Sequence, residues 1–248
     1  MFGIQFNFSE ATRPCTRDLF WSVTRSGRVA DTIERCRKAL AAGQTALYAD
    51  LKKRLPAFCF MATFEASCGK TGKRPLASYR LQQYARLTGL IMHDFDHLSA
   101  KGTTPRELFG RVPQWMMDDK ERLCLLYAGQ TPSGDGLRLV TTADPRRGDI
   151  AAQQAYVASI LGMEADESVK NADRLSFAVS EKDIFYINDQ IFDYQDDEFD
   201  KTYGDLYRAG GSRAVAAVHA ASVNAARGSA EDCQQAAPPA APEAPRAP

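Results

Sequence analysis

Residues 89–98, Gly-Leu-Ile-Met-His-Asp-Phe-Asp-His-Leu, carry an apolar run into two carboxylates, Asp94 and Asp96, with His93 and His97 beside them. On a strand, successive side chains alternate faces. Asp94 and Asp96 then point the same way as Met92, while His93, Phe95 and His97 point the other way. Two like charges on one face repel. A divalent cation relieves that conflict, and hard oxygen ligands suit Mg²⁺ or Mn²⁺. The alternation separates the histidines from the aspartates, which argues against a His/Asp zinc site and leaves the imidazoles to packing. The competing reading of Asp-x-Asp is a strand end that enters water, where aspartate costs little.

A second stretch, residues 128–140, places Thr131, Ser133, Gly134, Asp135 and Gly136 in a tight turn between two apolar runs. Glycines there let backbone N–H groups approach an anion, and Ser133 adds a hydroxyl. Arg138 opens the following run and offers a fork of donors suited to phosphate. The plainer reading is an ordinary β-hairpin. No Gly-Lys-Ser/Thr follows, so this is not a Walker loop, and Gly69-Lys-Thr-Gly-Lys-Arg74 lacks the spacing of one. In a third stretch Asp166 is followed by Arg174 and an apolar segment. A third carboxylate and a cation there suit a metal and a triphosphate; a charged loop is the alternative.

The elements that must hold these residues are read from periodicity. Apolar and alternating runs mark strands at Ile4–Phe8, around Phe58 and Phe60, at residues 90–96, over 122–130 and in Leu137–Thr141. Steps of three and four residues mark one helix from Arg28 to about Leu51, ended by Pro56, with Lys52 and Lys53 at its solvated end. Further helices are expected near Pro105–Phe109, over Ile150–Leu161 and over Gly210–Ala226, with a loop at 65–75. The acidic run 193–200 reads as a solvated or tail-like segment. Strands and helices mix without strict alternation, which gives an α+β class.

The chain has 248 residues, 44% of them hydrophobic, which is ample for one large domain or two small ones. Lys plus Arg equals Asp plus Glu at 31 each, so no global basic field advertises nucleic acid, though a local basic groove is compatible with that total. The six cysteines show no Cys-x-x-Cys pair and read as reduced thiols of a cytoplasmic protein. The N-terminus lacks the pattern of a signal peptide, and no run approaches the ~20 apolar residues of a membrane span. From residue 228 the Pro/Ala-rich composition cannot bury a core and is expected to be disordered.

Taken in order, the apolar strand ending in Asp-x-Asp, the Ser-Gly turn followed by a cation, and the isolated Asp resemble the archaeo-eukaryotic primase superfamily. More specifically, residues 25–195 resemble the primase-like N-terminal domain of virulence-associated protein E type proteins of Bacteroides-like bacteria and their mobile elements. The motifs are the runs 51–64, 88–98, 131–140 and 166–180. The resemblance implies a primase catalytic core, an RRM-like sheet packed on a second small α/β unit. It implies Asp94, Asp96 and Asp166 as catalytic ligands of Mg²⁺ or Mn²⁺. Ser133, Gly134, Gly136, Arg138 and Arg174 would bind nucleotide. Arg138 stands where many members carry a histidine, keeping the charge but not a proton that titrates near neutrality.

The implied activity is primase-polymerase nucleotidyl transfer in replication of a bacterial or mobile element. Its partners would be nucleoside triphosphates, single-stranded or primed nucleic acid and a separate helicase, without a membrane. The alternative is a non-catalytic module of the same fold that binds nucleotide or nucleic acid. The expected layout is an N-terminal extension or edge strand (1–24), the nucleotide-binding domain (25–200), a helical segment (201–227) and a tail (228–248). If the carboxylates meet only through metal, Asp94→Asn or Asp96→Asn leaves the fold intact or more stable.

Overall fold

The computed structural model describes residues 1–118, 122–164 and 171–235, with backbone alone at 216 and 218–235. In chain order its elements are β1 (Gly3–Gln5), β2 (Arg13–Pro14), α1 (Arg17–Thr24), α2 (Gly27–Ala41), α3 (Thr45–Lys52), β3 (Ala57–Cys59), β4 (Ala62–Phe64), β5 (Ala85–Leu87), β6 (Leu90–Phe95), α4 (Pro105–Phe109), β7 (Leu125–Gln130), β8 (Leu137–Thr142), α5 (Ile150–Ile160), β9 (Ser176–Phe177), β10 (Ile184–Ile187) and α6 (Asp197–Gln235). The fold is α+β. One antiparallel sheet has the order β2-β1-β3-β9, a second β10-β7-β8-β6, and β4 and β5 form a two-stranded ribbon.

The second sheet is buried on both faces, and its alternation decides what each face meets. Met92, Leu126 and Val140 turn toward the first sheet, into a core that also holds Phe2, Phe20, Phe58 and Phe60. Phe2 and Phe60 pack with ring centroids 4.7 Å apart, and Phe20 and Phe58 at 5.0 Å. Phe95, Ala128, Leu137 and Leu139 turn the other way, against Leu108 of α4 and Val157 and Ala158 of α5. Burying each of the Val, Leu, Met and Phe side chains contributes roughly 1.5–3 kcal/mol. Local signals start these helices. Thr104 and Glu107 form a capping box around Pro105 at the head of α4. Asp149 accepts from the Ala152 amide at 2.8 Å to cap α5.

Several elements differ from the periodicity reading. The single helix expected over 28–51 is two, because the chain turns at Gly43, whose φ of 70° favours glycine. The N-terminal strand stops at Gln5, and β1 lies between β2 and β3, so within residues 1–24 it is β2 that forms the edge of the sheet. The acidic run 193–200 is not tail-like. Asp196 accepts from the amides of Glu198 and Phe199 at the head of α6, Asp197 pairs with Arg86 at 2.8 Å, and Asp200 accepts from the Leu87 amide at 2.7 Å. These carboxylates clamp α6 onto β5. The helix continues through Gln235 with a break at Gly211, so it runs past the expected tail boundary at 228; residues 236–248 lie outside the description. No helix among the described residues is long and apolar enough to cross a membrane. Cys15, Cys36, Cys59 and Cys124 are buried and Cys68 is exposed, and none of these five is in a disulfide.

Candidate functional site

Strands β6 and β8 are antiparallel neighbours in register, with Asp94 opposite Arg138. Both side chains lie on the face turned toward the first sheet. Directly opposed side chains reach each other, and here they form a fork-to-fork pair. Arg138 Nε donates to Asp94 Oδ1 at 2.6 Å and Nη2 donates to Oδ2 at 2.7 Å. The remaining nitrogen, Nη1, donates at 2.6 Å to the Ser176 hydroxyl on β9. Arg138 thus ties the second sheet to the first. The pair is almost sealed, with 4% of the Asp94 side chain and 10% of the Arg138 side chain exposed. Burial works against the guanidinium charge, and the facing Asp94 outweighs it, so the Arg138 pKa rises.

This pair is the floor of a cleft of about 1000 Å³ between the two sheets. Its walls bring together residues from every stretch read above: Asp94 and Asp96 from the end of β6, Ser133 and Gly134 from the β7–β8 turn, Arg138 from β8, and Arg174 just before β9. Gly136 sits immediately behind. A methyl group there would collide with Asp96 Oδ1 and come within 2.6 Å of Thr131 Oγ1, so only glycine lets the turn close against the carboxylate. Asp166 lies outside the described residues.

Asp96 stands one residue past β6, at the exposed rim. Its pKa is raised, first by desolvation and then by the Asp94 charge, with Arg138 and Lys52 pulling the other way. His97, next in sequence, holds a left-handed backbone with φ of 57°, a strained position for a non-glycine residue, and also faces the cleft. His93 behaves as expected of the opposite face. It is buried, its Nε2 lies 3.1 Å from the Thr141 hydroxyl, and desolvation pushes its pKa down to about 3.

The turn is built differently from an anion cradle. The Gly134 amide donates to the Thr131 carbonyl at 2.9 Å, and the Asp135 amide donates to Ser133 Oγ at 3.2 Å. Those two N–H groups are engaged within the turn and do not face a ligand. Asp135 instead accepts from the Ser99 amide and hydroxyl at 2.8 Å each, fastening the turn to the segment after β6. The turn is therefore a rigid wall.

The cations that face the cleft come mainly from elsewhere. Lys52, at the last turn of α3, is half-buried, and its ammonium lies 5.6 Å from the Tyr48 ring and 5.2 Å from the Phe177 ring. Its pKa is lowered, first by desolvation and then by Arg138. This corrects the expectation of a solvated helix end. Arg37, from α2, lies against Gly134 and pairs with the buried Asp183 at 3.0 Å. Arg80 donates to the Asp173 carbonyl at 2.9 Å. Tyr48 lines the cleft as well, and desolvation pushes its pKa up to about 12. The sequence pattern did not single out Arg37, Tyr48, Arg80 or Asp173, and it left Lys52 to a solvated helix end. The signal for Lys52 was its step of four from Tyr48, which puts both on one helix face. The signal for Asp173 was its place in the short polar stretch leading into the strand at Ser176–Phe177.

For a divalent cation the donor chemistry is right and the arrangement is not. Both oxygens of Asp94 accept from Arg138, which leaves Asp96 as the one carboxylate of the Asp-x-Asp pair not taken by the guanidinium. Among the described residues no three His, Cys, Asp or Glu side chains gather around one point. The described residues in this arrangement do not fit a two-ion site. No family model matches the chain, and neither a curated protein nor a solved structure matches it.

Proposed function

We propose that the cleft binds a nucleoside triphosphate and that the protein performs nucleotidyl transfer of the primase-polymerase kind, in replication of a bacterial or mobile element. One observation supports this reading above the others. Residues from three stretches that lie well apart in sequence, Asp94 and Asp96, then Ser133, Gly134 and Arg138, then Arg174, line a single cleft of about 1000 Å³. That volume falls at the upper end of small-molecule sites. The cations around it suit a polyanion. Lys52 and Arg174 face the open side and would take the outer phosphates, with Arg37 beside the turn. In transfer, a hydroxyl oxygen bonds to the α-phosphorus, the bond to the β-phosphate oxygen breaks, and pyrophosphate leaves. Asp96, whose proton affinity is raised, is the group placed to take the hydroxyl proton. The two packed sheets are compatible with the primase core that the resemblance implies.

A second reading is favoured by the Asp94–Arg138 pair: the same fold binds nucleotide without synthesis, because its first carboxylate is occupied by a guanidinium. A template-extension assay with nucleoside triphosphates and Mn²⁺ separates the two. Extension by the wild type that vanishes in Asp96→Asn supports transfer. Extension that persists in Asp96→Asn contradicts the role given to that residue. Triphosphate binding without extension on primed or unprimed templates selects the binding module.

A further inference from the structure

A second, smaller groove of about 220 Å³ opens beside the cleft, and Phe8 and Arg80 belong to the walls of both. The rest of its wall comes from the loop after β4, with Lys70, Thr71 and Arg74, together with Tyr79 and Glu10. Three features set it apart from an ordinary charged surface. Phe8 is 50% exposed at the junction of the two openings, where its ring lies 6.0 Å from Phe177. An exposed aromatic between two wet clefts has a free face. Arg74 stands over the Tyr79 ring at 5.2 Å and donates to the Ser9 carbonyl at 3.0 Å, so one of its guanidinium arms is fixed beside an aromatic face. The floor holds polar atoms that no described residue satisfies: Gln5 Oε1, on a side chain 3% exposed, and Arg80 Nε.

The loop that carries these cations is fixed at its base. Ser67 and Ala77 exchange backbone hydrogen bonds at 2.9 and 3.0 Å, and the Arg74 amide donates to the Cys68 carbonyl at 3.0 Å. Thr12 reaches across from the N-terminal segment, its amide and hydroxyl donating to the Ser78 carbonyl at 2.9 and 2.8 Å. Lys70 and Arg74 are therefore presented from an ordered frame. Cations alternating with aromatic faces, with one carboxylate among them, match the chemistry of a single strand, whose phosphates need charge and whose unpaired bases need a surface to stack on.

We propose that this groove binds single-stranded nucleic acid and leads it into the cleft past Phe8 and Arg80. The inference rests on the nucleotidyl-transfer reading for its direction, not for the binding itself. Lys70 and Arg74 hold phosphates. Phe8 and Tyr79 stack bases, and because every base has a π-face this binding is tolerant of sequence. A duplex keeps its bases stacked internally and cannot offer them to Phe8.

The test is fluorescence anisotropy on the full chain with labelled single-stranded DNA and RNA of about twelve nucleotides. The double variant Lys70→Glu/Arg74→Glu is expected to weaken binding about ten-fold or more. It should also flatten the slope of log affinity against log salt by about 1.4, the amount for two lost phosphate contacts on a single strand. Phe8→Ala is expected to weaken binding at least five-fold, as loss of one stacked base does, and to leave that salt slope unchanged. Lys70→Glu alone, a change at an exposed loop tip, shows half the slope change and covers the case in which the double variant does not fold. Unchanged affinity in these variants, or equal affinity for a duplex of the same length, overturns the proposal. Calorimetric titration of ATP into the wild type and the Lys70→Glu/Arg74→Glu variant keeps the two readings apart. Strand binding that depends on the groove, in a protein that binds no triphosphate, removes the cleft reading and leaves the groove standing. Triphosphate binding with strand binding indifferent to Lys70, Arg74 and Phe8 does the reverse.

Discussion

The floor and the rim of the cleft use the same residue types to opposite ends. On the floor, Asp94 and Arg138 are sealed from water, paired through two hydrogen bonds and anchored to Ser176 across the sheets. At the rim, Asp96 and Lys52 face the opening, both with their charged forms disfavoured by desolvation and neither joined to the other in a fork. A buried pair of this kind holds structure, because removing one partner leaves an uncompensated charge. Rim groups held near each other without a partner are suited to a ligand that brings the missing charge. Two carboxylates separated by one residue thus do different work, and the spacing in sequence conceals it.

The largest effect expected from this difference is on stability. Asp94→Asn and Arg138→Ala should each cost on the order of 3–5 kcal/mol in urea denaturation, the cost of breaking a buried ion pair from one side. This reverses the outcome expected from the sequence, where repulsion between Asp94 and Asp96 was the only term in view. Variants as stable as the wild type would break the comparison.

Next comes the acid sensitivity of the opposite face of β6. His93 has a folded pKa of about 3 against an ordinary 6.5. Its folded pKa is depressed, so the unfolded chain binds the extra proton first. The contribution of neutral His93 is complete above pH 6.5 and is lost as pH falls toward 3. The loss approaches about 1.4 kcal/mol per pH unit within that window. The difference in unfolding free energy between wild type and His93→Gln, followed across the window, should slope by that amount, and parallel curves would contradict it.

Gly136→Ala sharpens the same contrast from behind the rim. The added methyl collides with Asp96 and Thr131, which should cost about 1–3 kcal/mol in thermal denaturation and displace the Asp96 carboxylate. The smallest effect is expected for Asp96→Asn itself, within about 0.5 kcal/mol of wild type, because an exposed group without a partner contributes little.

Much of the frame that carries the site was legible. The runs of β6, β7 and β8 marked them as strands, and the short polar turn made β7 and β8 a hairpin; that β6 shares their sheet was expected because its motif and that of β8 must open on one cleft. The shared face of Asp94 and Asp96 was equally legible from a period of two. The pairing of Asp94 with Arg138 was not, since it depends on the register between strands 44 residues apart. The turn of Ser133 and Gly134 was seen, but whether its amides face a ligand or the turn itself is decided by φ and ψ, which composition does not carry. Lys52 read as a solvated end because the helix was taken as ending on water; the neighbour it meets, Phe177, is more than a hundred residues away. The acidic run at 193–200 was read by charge, whereas its role is set by Arg86, Arg208 and the Leu87 amide.

The most direct measurement is a calorimetric titration of ATP, with and without Mn²⁺, into wild type and Lys52→Ala. The rim supplies the charge that a triphosphate meets. Lys52→Ala should therefore unfold at the wild-type temperature and bind ATP about ten-fold more weakly, equivalent to about 1.4 kcal/mol. Equal affinity in the two proteins, or no binding by the wild type at millimolar ATP, would contradict the assignment of this cleft to a nucleoside triphosphate.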